Sequence, residues 1–167
     1  MRAAVLTVSD GCARGERRDE SGPHLRERLE SAGFEVVASE IVPDDPPAIR
    51  RALERFEDDL RVDVALTTGG TGFSTRDTTP EATLAVVERR ASGLSEALRA
   101  DGMKRTPHAC LSRGEAGLRG TTLIVNLPGS LKAVREGMDF LLPILPHAVK
   151  MIGGGGHGPK ERGDGPF

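Results

Sequence analysis

The chain predicts an α/β protein, a three-layer α/β/α arrangement around a mostly parallel sheet, and two observations carry that reading. Short apolar runs at Ala3 to Val8, Phe34 to Ile41, Val62 to Thr67 and Thr122 to Leu127 have strand length and a β-branched composition. Segments with apolar residues at helical spacing separate them, and such alternation covers a parallel sheet on both faces. The length of 167 residues suits one ordinary domain, enough to bury a core without disulfides or metal.

The elements follow in order. After the first strand comes a polar, glycine-containing stretch from Ser9 to Gly22. A helix is expected from Ser21 or Gly22, because Pro23 suits a first turn, Leu25, Leu29 and Ala32 share one face, and Gly33 can stop it. The second strand ends at Pro43-Asp44-Asp45-Pro46-Pro47, and Ile49, Leu53, Phe56 and Leu60 mark the apolar face of the next helix. Beyond the third strand, helices are expected from about Pro80 to Arg90 and from Leu94 to Met103, with a short segment near Ala109. The strand Thr122 to Leu127 leads to a helix capped by Ser130 and bearing Leu131, Val134 and Met138, and a last helix covers Leu141 to Ile152. Residues 1–152 make the expected domain. Residues 153–167, opening with four glycines, read as a flexible tail.

Thr67-Thr68-Gly69-Gly70-Thr71-Gly72 follows the third strand, and its glycines let the backbone turn tightly and present N–H groups to an anion such as phosphate. It lacks the Gly-Lys-Ser/Thr ending of a P-loop and the spacing of a dinucleotide fingerprint. Arg76-Asp77 comes next, then Thr79 as the expected N-cap, Pro80 in the first turn and Glu81 near the positive helix end. Four loops leave the C-terminal ends of successive strands: Ser9-Asp10-Gly11, Pro43-Asp44-Asp45, the glycine turn with Asp77, and Asn126-Leu127-Pro128-Gly129-Ser130. Ligands of open α/β sheets collect at that edge. Alternative roles stand beside these: Asp77 can pair with Arg76 or complement the following helix, Asp44 can form an Asx turn or cap the helix at Pro47, and Asn126 can be a turn former.

Charge and composition narrow the function classes. With 23 Lys and Arg against 25 Asp and Glu, the formal charge is −2, so no global basic field attracts nucleic acid or an acidic membrane. There is no Trp or Tyr to build a base-stacking platform. No apolar run approaches the roughly 20 residues that span a bilayer. Cys12 and Cys110 stand far apart without metal-type spacing and no signal segment is recognisable, so a reduced, cytoplasmic protein is expected, with Cys110 as a small core residue. The four histidines are scattered and give no zinc pattern.

The glycine turn with Arg76-Asp77 and Thr79-Pro80-Glu81-Ala82, together with Leu123-Ile124-Val125-Asn126-Leu127-Pro128-Gly129-Ser130, resembles the MogA/MoaB family of molybdenum cofactor biosynthesis, to which gephyrin is related. The likeness extends to Thr7-Val8-Ser9-Asp10, Ser21-Gly22-Pro23, Val42-Pro43-Asp44-Asp45 and Leu111-Ser112-Arg113, roughly residues 3 to 152. It implies a molybdopterin adenylyltransferase, which joins the terminal phosphate of molybdopterin to the AMP part of ATP and releases pyrophosphate. It also implies a homotrimer, and a molybdenum-insertion (MoeA-like) partner for the product. Asp77 and Asp44 match the family's catalytic acidic residues and would hold Mg2+, a hard cation suited to carboxylates and phosphate oxygens. Gly69, Gly70, Thr71, Gly72 and Arg76 would hold phosphate, and Ser9, Asp10, Asn126, Pro128, Gly129 and Ser130 would line the pterin and nucleotide pockets. Where close plant relatives have a hydroxyl, this chain has Gly114 followed by Glu115, which would repel phosphate unless it points away or binds a cation. A non-catalytic molybdopterin carrier using the same cleft is the alternative. A domain of the kind attached to nicotinamide-nucleotide repair proteins is a third, disfavoured by the short chain.

Overall fold

The computed structural model describes residues 1–154, so the expected tail beyond Gly154 lies outside the described residues. Six strands form one sheet: β1 (Arg2–Val8), β2 (Glu35–Val42), β3 (Val64–Thr68), β4 (Arg89–Arg90), β5 (Ala116–Arg119) and β6 (Thr122–Leu127), in the order β2-β1-β3-β6-β5-β4. The first three pairings are parallel and β6-β5-β4 are antiparallel. Val5 lies opposite Leu66, and Leu66 opposite Val125. The C-terminal ends of β2, β1, β3 and β6 therefore share one edge, as expected for the four polar loops.

Period-two alternation along the strands divides the core into two layers. Val5, Leu66, Val125 and Leu127 face α2 (Ser21–Ser31), α6 (Leu131–Leu141) and α7 (Leu145–Ile152), meeting Leu25, Leu29, Val134, Met138 and Leu145. Ala4, Leu6, Ala65 and Ile124 face α3 (Pro46–Asp58) and α4 (Thr79–Val86), meeting Ile49, Leu53, Phe56 and Val86. Each fully buried Leu, Ile or Phe contributes about 1.5–3 kcal/mol over its exposed state, and these carry the three-layer fold.

Several expectations are corrected. The helix expected to reach Arg90 stops at Val86, because Glu88 N–H finds Leu118 O at 2.8 Å and the chain joins the sheet as β4. Thr79 does not cap α4: its hydroxyl is buried without a hydrogen-bond partner, while its N–H donates to Gly70 O at 3.1 Å. Strand β5, Ala-Gly-Leu-Arg, is absent from the sequence reading, since its composition is poor for a strand and the pairing with β6 creates it. The last helix, expected from Leu141, begins at Leu145 as α7, because α6 runs on to Leu141 and a turn containing Pro143 separates the two. Cys110 is exposed, in a 3-10 turn (Pro107–Leu111), and is no core residue. Part of the polar stretch after β1 forms a short helix, α1 (Asp10–Ala13), and α5 spans Ser92–Met103.

Candidate active site

The glycine turn needs its glycines. Gly69 and Gly70 have φ of 97° and 62°, and a Cβ on Gly69 would run into Val8 O, one on Gly70 into Thr79 Oγ1. Gly129 packs against Gly69, where an added Cβ would stand 3.2 Å from the Gly69 Cα. Hydrogen bonds knit the β3 and β6 loops together: Gly69 N–H donates to Leu127 O at 3.2 Å and Thr68 Oγ1 to Pro128 O at 2.8 Å. Ser21 Oγ adds a bond to Gly129 O at 3.0 Å, tying the start of α2 to the same point.

Asp44 and Asp45, indistinguishable in sequence, have separate tasks. Asp45 caps α3, its carboxylate accepting from Ala48 N–H at 3.0 Å, with Pro46 in the first turn. Asp44 is left for the site. Its Oδ2 accepts from Asp10 N–H at 2.8 Å, and Asp44 N–H donates to Asp10 Oδ1 at 3.0 Å. Burial pushes the Asp44 carboxyl above the usual carboxylate range, the Asp77 charge pushes it further, and the Arg17 guanidinium opposes both.

Asp77 does not pair with Arg76, whose guanidinium forms an ion pair with Asp10. Asp77 Oδ2 accepts from Ser74 N–H at 2.9 Å, and a Cβ on Gly72 would stand 2.9 Å from that oxygen. Ser9 caps α1, its hydroxyl accepting from Cys12 N–H at 3.3 Å. Ser130 caps α6 through Ala133 N–H at 3.2 Å, as expected. Asn126 is 4% exposed, and its amide donates to Thr67 Oγ1 at 3.0 Å and Thr83 Oγ1 at 2.9 Å while accepting from Glu115 N–H at 3.1 Å. Both amide protons are thus engaged within the protein, so Asn126 joins β3, α4 and the residue before β5 at the wall of the cleft.

A cleft of about 500 Å³ opens beside the glycine turn, lined by Gly70 to Gly72, Asp77, Ser112, Gly114 and Pro128 to Ser130, and also by Leu98, Arg105 and His108. The last three carry no signal in sequence, because α5, the 3-10 turn and the link between them reach the cleft only on folding. Arg113 belongs to a motif, but sequence alone assigns it no role. Its backbone N–H donates to Thr71 O at 2.8 Å and its Nε to Gly72 O at 2.7 Å, and the guanidinium also bonds Asp77 O and the Glu81 carboxylate. This fork fixes the turn from outside. Glu115 points to Arg90, with both carboxylate oxygens 3.0 Å from Nη2, so its charge is paired and the anticipated repulsion is removed. Beside Gly114, Ser112 Oγ accepts from Gly114 N–H at 3.3 Å.

The donor set fits a magnesium ion. Among the described residues no three His, Cys, Asp or Glu side chains cluster to hold a metal by themselves. The Asp77 charge reaches the Asp44 carboxyl, and Asp44 Oδ1 and the partnerless Thr79 hydroxyl approach the same face of Gly70. Two carboxylates completed by phosphate oxygens and water suit Mg2+, which retains waters and takes few protein ligands.

Fold and site define an α/β protein with a cleft at the C-terminal edge of its sheet beside a glycine turn and Asp77, and an adjoining groove that holds Asp44. The chain belongs to the molybdenum cofactor biosynthesis family: residues 4–147 match the domain described as "Probable molybdopterin binding domain". It is 45% identical over 150 residues to the molybdenum cofactor synthesis protein cinnamon of Drosophila melanogaster, covering 89% of this chain but 25% of that protein. The chain thus spans about a quarter of that relative, and 22% of the gephyrin of Dictyostelium discoideum, 40% identical to it. A molybdopterin adenylyltransferase of Helicobacter pylori is 38% identical, with 91% of this chain and 88% of that protein covered. Among solved structures, the molybdopterin biosynthesis enzyme MoaB of Thermus thermophilus superposes with a TM-score of 0.86 at 50% identity, over 92% of this chain and 96% of that one.

Proposed function

We propose that the chain transfers the adenylyl group of ATP to the terminal phosphate of molybdopterin, releasing pyrophosphate. The observation that carries this reading is Asp77, which lines both the cleft beside the glycine turn and the adjoining groove where Asp44 lies within its electrostatic reach. The name of the Helicobacter pylori relative, of which the chain covers 88%, supports it. The reaction needs no protein nucleophile, since a substrate phosphate oxygen attacks the α-phosphorus, and catalysis rests on positioning and charge neutralisation. Gly70, Thr71 and Gly72 would orient the substrate phosphate by backbone N–H groups, whereas the Gly69 N–H, expected to join them, is taken by Leu127 O; Arg113 holds the turn rigid, and Asp44 and Asp77 would hold Mg2+. Bound there, the ion supplies neutralisation of the phosphate oxygens.

Residues 1–152 are the unit to which this activity is assigned. We further infer a homotrimer in the cytoplasm that hands its product to a molybdenum-insertion (MoeA-like) partner, in line with the family; no helix among the described residues is long and apolar enough to cross a membrane. The test is incubation of the chain with molybdopterin, ATP and Mg2+, reading adenylylated molybdopterin and pyrophosphate. Stoichiometric formation of both is expected. Tight binding of molybdopterin without product would replace the reading with that of a carrier.

A further inference from the structure

Strand β3 sits at the centre of the parallel part of the sheet, and its loop divides the ligand edge into two unlike compartments. On the β6 side lies the cleft already described. On the β1 and β2 side lies an open groove of about 540 Å³ lined by Ser9, Asp10, Arg17, Asp44 and Arg76, with Arg14 and Glu16 beside them. Asp77 alone lines both.

The three arginines of the groove differ. Arg14 is engaged by Glu16 through two bonds of 2.8 and 2.9 Å, and Arg76 is paired with Asp10. Among the described residues Arg17 has no carboxylate within ion-pair distance, and one bond, from Nη2 to Ser9 Oγ at 3.3 Å, holds its guanidinium. A guanidinium has five N–H donors, so the rest of the fork is free for a ligand. It is the uncommitted cation of a groove that otherwise repels anions.

Resting on the adenylyl-transfer reading, we propose that Arg17 binds the pyrophosphate portion of ATP and receives it as the leaving group. In-line displacement sets the attacking and leaving oxygens on opposite sides of the phosphorus. A pterin phosphate in the β6-side cleft approaches past Asp77, so the leaving oxygen emerges on the β1 side, into the groove. The bond formed joins the substrate's phosphate oxygen to the α-phosphorus. The bond broken joins the α-phosphorus to the oxygen bridging to the β-phosphorus, and pyrophosphate departs with that electron pair. The attacking monoester is largely a dianion at neutral pH, so no protein base is required. The Arg17 fork matches two phosphate oxygens and offsets the charge gathered on the leaving group.

The test compares the unmutated chain with Arg17→Met and Arg17→Lys, in calorimetric titrations with pyrophosphate and with AMP, each with Mg2+, and in turnover with ATP and molybdopterin. Arg17→Met is expected to weaken pyrophosphate binding and lower kcat/KM for ATP by about tenfold to a hundredfold, the size of a charge-assisted contact, with AMP affinity and melting temperature unchanged. Arg17→Lys should recover part of the loss. Equal pyrophosphate affinity in the unmutated chain and Arg17→Met would overturn the proposal, as would a matching loss of AMP affinity or no pyrophosphate binding by either. Absence of product from the unmutated chain would defeat the functional reading instead, while the pyrophosphate titration would still decide whether Arg17 binds this anion.

Discussion

Asp10 and Asp44 each accept a hydrogen bond from the other's backbone amide, at 3.0 and 2.8 Å. This reciprocal pair locks the loop after β1 to the loop after β2 and uses one oxygen of each carboxylate. The Arg76 ion pair takes up the Asp10 charge, whereas Asp44 faces Asp77 with its own charge less favoured by burial.

Asp44→Asn should therefore raise the melting temperature slightly at neutral pH while abolishing most turnover. The sign follows from the raised carboxyl: stability is fully present when Asp44 is protonated and is lost as pH rises through its elevated folded-state value, so the neutral amide removes a penalty present at pH 7. Mg2+ together with ATP should raise the melting temperature of the unmutated chain but not of this variant. Thermal melts with and without the pair of ligands check both statements.

Asp45→Ala should do the converse. Loss of the α3 cap is expected to reduce stability by about 1 kcal/mol with near-normal kcat, measured by urea unfolding beside steady-state kinetics. A large kcat loss with unchanged stability would show that the two aspartates have been assigned the wrong way round.

Asp77→Asn should preserve the fold, because an amide oxygen still accepts from Ser74 N–H, yet reduce magnesium-dependent turnover by about a thousandfold. Retained turnover would remove Asp77 from the mechanism.

Arg113→Lys should behave almost like Arg113→Ala, since one ammonium cannot span the Gly72 and Asp77 carbonyls and the Glu81 carboxylate as the planar fork does. Faster amide exchange at Thr71 to Asp77 and a fall in kcat of about tenfold or more are expected, with a smaller change in KM for molybdopterin. Unchanged exchange would mean that the turn is rigid without the arginine.

His24 supplies a pH-dependent prediction away from the site. Burial lowers its tendency to protonate, nearby Arg135 and Arg28 add to the effect, and its Nε2 is buried without a partner. The folded state favours neutral imidazole, so stability is present at higher pH and lost as pH falls below the ordinary histidine value of about 6.5. Melting temperature should drop between about pH 7 and 5, and His24→Gln should flatten that part of the curve.

The sequence made β1, β3 and β6 legible because they are buried on both faces and read as unbroken apolar runs. It left β4 and β5 illegible, since Arg89-Arg90 and Ala-Gly-Leu-Arg become strands by pairing and not by composition. In the site, the glycine turn, Asp77 and Ser130 could be read locally. The division of labour between Asp44 and Asp45 could not, because it depends on which carboxylate meets the Ala48 amide. The Arg113 contacts bridge 41 residues to Gly72, and no local pattern records a pairing of that length.

The central place of β3 also has a kinetic consequence. With one compartment on each side of its loop and a single residue common to both, neither substrate has to vacate its seat before the other arrives. Turnover should run through a ternary complex, with double-reciprocal plots that intersect, and a ping-pong pattern of parallel lines has no place in this geometry.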